Sequence, residues 1–428
     1  MVSSVTMTLT ETHRAIEAVW RIESARLIAA LARRVRDVGL AEELAQDALV
    51  SALEVWPVSG IPDNPGAWLI TTARNRAIDQ LRRCRMLEAK HALLGHELEM
   101  EQQFSADAVQ AQAQDEIGDD LLRLIFIACH PLLSTQARTA LTLKLIGGLT
   151  TAEIARAFLV PEPTIAQRIV RAKRALNAAQ VPFELPPRAE LHERLSSVLE
   201  VIYLIFNEGY SATAGEDWIR PGLCEEALRI GRILAELAPG ESEVHGLVAL
   251  MEMQASRLRA RVGAHGEPVL LMEQNRAQWD RLLIHRGLLA LARGEALGES
   301  RGPYLLQAAI AACHARAAEA SDTDWVNITV LYDELARNVH SPVIELNRAV
   351  AVAMAYGPAA GLALTDELVA GGELEAYHLL PSVRADLLSR LGRYSEARIE
   401  FEHAAELTRN ARERALLERR AAACAQQS

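Results

Sequence analysis

Apolar side chains recur along this chain at helical spacing, with no credible strand-like alternation. Ile16, Val19, Ile22, Leu27, Leu31 and Val35 mark one face of a helix over residues 12–38. Gly39 is placed to end it. A second helix follows from Leu40 to about Trp56, striped by Leu40, Leu44, Ala48, Ala52 and Trp56. The segment PVSGIPDNPG, residues 57–66, carries three prolines and two glycines and reads as a loop. A third helix is expected from Pro65, a residue tolerated in a first turn, to about Lys90. Leu69, Ala73, Ala77 and Leu81 form its apolar side, and Asn75, Asp79, Arg82 and Arg83 its polar side.

Between Glu97 and Asp120 there are eight acidic residues and no basic one, which reads as a mobile linker. Helices are expected to resume at Leu121. Residues 138–148 (RTALTLKLIGG) read as a helix closed by two glycines. Residues 151–176 then read as a short helix, a turn at 159–161 and a longer helix from Glu162. The segment VPFELPP, residues 181–187, has three prolines and marks a boundary, after which helical periodicity continues to the end. Residues 391–407 carry a Leu-Gly-x-Tyr-x-x-Ala-x-x-x-Phe-x-x-Ala pattern, and a related stretch begins at Gly357, 35 residues before Gly392. A tetratricopeptide-like period is about 34 residues, so a helical-repeat domain is expected, with an irregular bundle as the alternative. The fold class is all-α.

Composition sharpens this picture. The formal net charge is −11, so a uniformly basic nucleic-acid coat is excluded. The charge is uneven: residues 1–180 carry 20 basic and 21 acidic side chains, whereas residues 181–428 carry 25 and 35. Only Lys90, Lys144 and Lys173 are lysines. The other cations are Arg, whose planar fork suits phosphate and guanine. No apolar run is long enough to span a membrane and the first residues lack signal-peptide character, so a cytosolic protein without membrane contact is expected. The five cysteines are scattered, no two histidines sit three or four apart, and no GxSxG, GxGxxG or GxxxxGK motif occurs. No enzymatic activity, catalytic residue, metal site or cofactor is assigned.

Three constellations carry candidate chemistry. In the helix-turn-helix at 151–176, Ile154, Ala155 and Phe158 face inward, as do Ile165, Ile169 and Ala172. The second helix offers Thr164, Gln167, Arg168, Arg171 and Arg174 outward. Amides and guanidiniums toward base edges, with cations toward phosphates, are what a helix in the major groove needs. The second constellation is Asn75–Arg85, a basic helix suited to an unpaired strand, though a solvated face fits it as well. The third, AEELAQDAL at 41–49, presents Glu42, Glu43, Gln46 and Asp47 and alone is an ordinary acidic helix.

In this order the three resemble bacterial RNA polymerase sigma factors of the extracytoplasmic-function type. The resemblance implies a region 2 domain over residues 12–90, an acidic linker over 91–120, and a region 4 domain over 121–180. A tetratricopeptide-like regulatory domain over 188–428 resembles that of a subgroup with fused extensions, through FNEGY (206–210), GPYLLQAAIAACHA (302–315) and SPVIELNRAVAV (341–352). Core polymerase would bind Glu42, Glu43, Gln46 and Asp47. The −10 element would meet Asn64, Trp68, Asn75, Asp79, Arg82 and Arg83. The −35 element would meet Thr164, Gln167, Arg168, Arg171, Lys173 and Arg174. Gly66 departs from many relatives in the loop before the −10 helix. The implied partners are core RNA polymerase and promoter DNA, with an unidentified ligand or protein at the C-terminal domain. Two readings of the acidic stretch stay open: a tether, or a segment threading a basic polymerase channel. The competing function is a one-component helix-turn-helix regulator with the repeat domain as sensor.

Overall fold

The computed structural model describes residues 9–91, 112–264, 266–298 and 300–427, which form two compact units, Met1–Val201 and Ile202–Ser428. Most of the acidic stretch, 92–111, lies outside the described residues. Helices account for nearly all the regular structure.

In the first unit, α1 (Leu9–Val35), α2 (Val38–Ser59) and α3 (Pro65–His91) pack on one another. Leu27, Ile28, Leu31, Leu44, Trp56 and Leu69 are all buried. Ala41, Ala48, Ala52, Ala73 and Ala77 are buried too, so small side chains occupy the same helix faces. The break between α1 and α2 falls before Gly39. Arg36 takes a left-handed backbone (φ 53°), and Asp37 caps α2 by accepting Leu40 N at 3.0 Å. A capping carboxylate thus outweighs the glycine as the local signal. Helix α2 also runs past Pro57 to Ser59, because Pro57 falls in the last turn and Gly60 (φ 84°) closes it by donating to Trp56 O. Ile22, expected inward, is 63% exposed.

Helices α4 (Gln112–Ala128), α5 (Thr135–Leu145), α6 (Thr151–Ala157) and α7 (Glu162–Ala178) complete most of this unit. Helix α4 already covers residues 112–120, ahead of the expected start at Leu121. The acidic run therefore ends inside a helix, and Asp120 is 1% exposed, paired with Arg33 at 3.3 Å and Arg123 at 2.7 Å. Helix α4 packs against α1. Helix α8 (Arg188–Tyr210) starts after the proline segment, and its first part belongs to this unit. There Arg194 donates to Phe126 O at 3.1 Å and Ser197 to Cys129 O at 2.8 Å. Arg138 donates to Ser197 Oγ and lies 3.4 Å from Glu200. These bonds satisfy carbonyls at the end of α4 that have no helical partner.

The second unit holds the end of α8 and α9 (Pro221–Leu237), α10 (Ser242–Ala255), α11 (Arg281–Leu297), α12 (Pro303–Arg316), α13 (Trp325–Asn338), α14 (Pro342–Tyr356), α15 (Pro358–Ala370), α16 (Leu379–Arg390), α17 (Tyr394–Leu407) and α18 (Ala411–Ala425). Successive helices pack on their chain neighbours, a repeat-like architecture. Gly392 takes φ 76° in the turn before α17, and Ala397 and Ala404 are fully buried where that helix packs. The Glu243 carboxylate accepts Tyr304 N at 2.8 Å and Leu305 N at 3.1 Å, capping α12 in trans. Among the described residues, a short β ladder accompanies the helices. Strand β1 (Ala214–Gly215) pairs in parallel with β2 (Arg409–Asn410), and buried Asn410 donates to Ala212 O and Asp217 O. That contact ties the start of this unit to its last hairpin.

Close approach of α14 and α15 depends on Gly361. A Cβ there would lie 2.5 Å from Ala353 Cβ and 2.6 Å from Ala349 O. Gly361→Ala should destabilise the second unit by about 1–3 kcal/mol, read as a lower urea midpoint. An unchanged midpoint would mean the helices do not pack this closely.

Candidate DNA and polymerase interfaces

The helix-turn-helix is assembled by local chemistry. Thr150 accepts Glu153 N at 3.2 Å while the Glu153 carboxylate accepts Thr150 N at 2.7 Å, a reciprocal cap that starts α6. Leu159 (φ 50°) makes the turn, and Pro163 sits in the first turn of α7. Ile154, Ala155, Ile165, Ile169 and Ala172 are buried as expected, and Phe158 is half-buried. On the outer side Gln167, Arg171 and Arg174 are exposed, and Thr164 and Arg168 half-buried. Arg168, Arg171 and Arg174 have no ion pair among the described residues. Three unpaired guanidiniums on one exposed helix side are a positive surface matched to a polyanion. Lys173 differs: its ammonium pairs with Glu42 of α2.

The acidic helix is partly rearranged relative to expectation. Glu43, Gln46 and Asp47 are exposed, but Glu42 is only 4% exposed. Its carboxylate accepts Gln46 Nε2 at 2.7 Å, lies 3.7 Å from Lys144 Nζ and pairs with Lys173. Glu42 therefore leaves the outward-facing set. Two residues the sequence reading missed join that set instead: Val50 (49% exposed) and Leu53 (39% exposed). With Glu43, Gln46 and Asp47 they continue one face at three- and four-residue spacing. An exposed face mixing carboxylates with large apolar side chains is suited to a protein partner. The signal was available as apolar residues off the Leu44–Trp56 stripe.

Around the third helix, Asn64 caps α3 by accepting Ala67 N at 3.0 Å. Trp68 is half-buried with its ring edge-to-face on buried Trp56, centroids 5.3 Å apart. Gly66 lies in the first turn of α3, and a Cβ there would come 3.0 Å from the Glu23 carboxylate. Its smallness thus reflects packing against α1. Asn75 is exposed, and Arg76 ties α3 to α2 through Ser51 Oγ at 2.6 Å and Asp47 at 3.4 Å. The side chains of Asp79, Arg82 and Arg83 lie outside those described.

Elsewhere the chemistry is quiet. Burial pushes the Cys129 thiol up to about 11 and Cys224 to about 12, so both stay protonated at neutral pH. Among the described residues no three His, Cys, Asp or Glu side chains gather as metal ligands, and no helix is long and apolar enough to cross a membrane.

Comparison with known proteins agrees with this geometry. The sigma-70 region 2 family matches residues 22–85, and sigma-70, region 4 matches residues 123–176. A family of unknown function, DUF6596, matches residues 194–295. An uncharacterized protein of Rhizobium meliloti (strain 1021) is 43% identical over 394 residues, covering 91% of this chain and 90% of the relative. The ECF RNA polymerase sigma factor SigK of Mycobacterium ulcerans is 30% identical over 157 residues, 36% of this chain and 78% of that protein. The probable ECF RNA polymerase sigma factor SigI of Mycobacterium tuberculosis is 26% identical over 178 residues, 41% of this chain and 59% of its own length. No solved structure matches. With both sigma regions in order ahead of an additional helical domain, the chain belongs to the extracytoplasmic-function RNA polymerase sigma factors.

Proposed function

We propose that this chain binds core RNA polymerase through the exposed face of α2 and directs it to promoters read at two places. Glu43, Gln46 and Asp47, with Val50 and Leu53, face the polymerase. Thr164, Gln167, Arg168, Arg171 and Arg174 read the −35 duplex. Asn64, Trp68, Asn75, Asp79, Arg82 and Arg83 hold the separated −10 strand, where a flipped base can be captured. The polymerase performs the chemistry; this chain chooses and opens the promoter, under control of its C-terminal helical domain. The observation that carries the reading is that one unit holds both an unpaired arginine-bearing helix-turn-helix and an exposed acidic–apolar helix face.

Glu43 is exposed and forms no ion pair among the described residues, so Glu43→Lys changes charge with little effect on folding. A like charge set against a basic partner costs several kcal/mol, so capture of core polymerase should fall at least about tenfold. Adding Asp47→Lys should deepen the loss. Co-purification at moderate salt, with circular dichroism as the fold control, reads the outcome. Undiminished capture would place the interface elsewhere.

A further inference from the structure

We propose that the outer face of α11 is a docking surface for an acidic amphipathic helix of a partner protein. Every residue involved belongs to the second unit, so the promoter assignments above do not bear on it. Ile284, Gly287, Leu291 and Gly294 turn one side of α11 into the core. The opposite side carries Leu282, Arg286, Leu289 and Arg293, at steps of four, three and four residues that align them along one face. Leu282 is 57% exposed and Leu289 50%, and both arginines are exposed. Arg286 and Arg293 form no ion pair among the described residues, nor does Arg281 at the start of the helix. Residues 181–428 carry 35 acidic against 25 basic side chains, so this is an unneutralised cationic face on an acidic domain.

Arg286 also borders a groove of about 690 Å³ between α9, the end of α10 and the start of α11. Buried Cys224 and Leu228, with half-buried Leu258 and Leu283, make its walls apolar. Arg259, exposed and without an ion pair among the described residues, lies at its edge. Of the two carboxylates that border the groove, Asp280 caps α11, accepting Leu282 N at 2.9 Å and Leu283 N at 3.1 Å, which leaves Glu225. Charge and shape together select the occupant. On α7, Thr164 and Gln167 stand among the guanidiniums; on α11, leucines do. Phosphates attract the cations but gain nothing from exposed leucines. A flat anionic bilayer would meet the stripe and leave the groove beside Arg286 unfilled. A helix with apolar anchors at i, i+4 and i+7 and carboxylates between them answers both features. Exposed ion pairs are individually weak, so the binding should be modest and salt-sensitive.

The test titrates the full-length protein into a fluorescein-labelled peptide of about 18 residues, with Leu at i, i+4, i+7 and i+11 and Glu at most other positions, and reads anisotropy. Saturable binding is expected. Arg286→Glu combined with Arg293→Glu should weaken it at least about tenfold, and Leu282→Ser with Leu289→Ser several-fold. The same peptide with Lys in place of Glu should fail to bind the parent yet bind the charge-reversed variant, a reversal that a misfolded protein cannot produce. Absence of saturable binding to the Glu peptide would overturn the proposal, as would equal binding by the parent and the charge-reversed variant. Duplex DNA or phosphatidylglycerol vesicles that displace the peptide, and lose affinity for the same variants, would assign the face to nucleic acid or lipid instead. Self-association of the parent that these variants abolish would make a second copy the occupant and overturn it equally.

Discussion

Replacing Arg168 and Arg171 by alanine is expected to weaken −35 recognition more than any other pair of surface changes on α7. Both guanidiniums lie on the outer side of the helix and neither is held by a carboxylate among the described residues. Their donors are therefore available to nucleic acid without first breaking an internal pair. A bidentate contact to guanine is worth about 1–3 kcal/mol, so each lost contact should cost roughly five- to 150-fold in discrimination. Initiation from matched and mismatched −35 sequences measures this. If both variants discriminate as the parent does, α7 does not read the −35 element. Lys173→Ala is a useful contrast, because that ammonium is already engaged by Glu42.

Removing residues 188–428 should lower promoter-directed transcription several-fold or more. Two causes can be resolved by choosing the cut. A chain ending at Pro187 loses the first part of α8, including the bonds from Arg194 and Ser197 to the Phe126 and Cys129 carbonyls. It also uncovers the face on which Leu195, Val198 and Leu199 are buried. Each uncovered buried acceptor costs about 1–3 kcal/mol, so this product should melt at lower temperature. A chain ending at Val201 keeps that helix segment and should recover the melting temperature of the first unit. Its transcription should still fall below the parent's, because it lacks the additional helical domain proposed to control the chain. Activity of the 1–201 chain equal to or above the parent's would assign the extension a shielding role, or none.

Much of this was legible in the sequence where the signal is local and periodic. The stripe from Leu44 to Trp56, the buried side of α3 from Leu69 to Ala77 and the core of the helix-turn-helix follow from apolar spacing, because a helix buries one side. Gly392, in the Leu-Gly-x-Tyr pattern, was readable for the same reason, since backbone sterics decide it locally. The misses are tertiary. Glu42 and Glu43 are adjacent and identical in type, yet one is buried and one exposed, and only Lys144 and Lys173, far along the chain, separate them. Asp120 looks like any member of an acidic run until Arg33 and Arg123 bury it. Val50 and Leu53 lay off the core stripe, and apolar residues there are informative only once exposure is known. Two cues competed at the α1–α2 break, and the capping carboxylate of Asp37 prevailed over Gly39.

The central claim is that this chain gives core polymerase its promoter choice. Purified full-length protein, mixed with core RNA polymerase and a library of promoter-length duplexes with randomised −35 and −10 positions, tests it by sequencing the transcripts. The account predicts transcripts that require both protein and core and that come from templates sharing a preferred pair of elements at fixed spacing. Tight, sequence-specific duplex binding by the protein alone, with no core-dependent transcript enriched over core polymerase by itself, would contradict it.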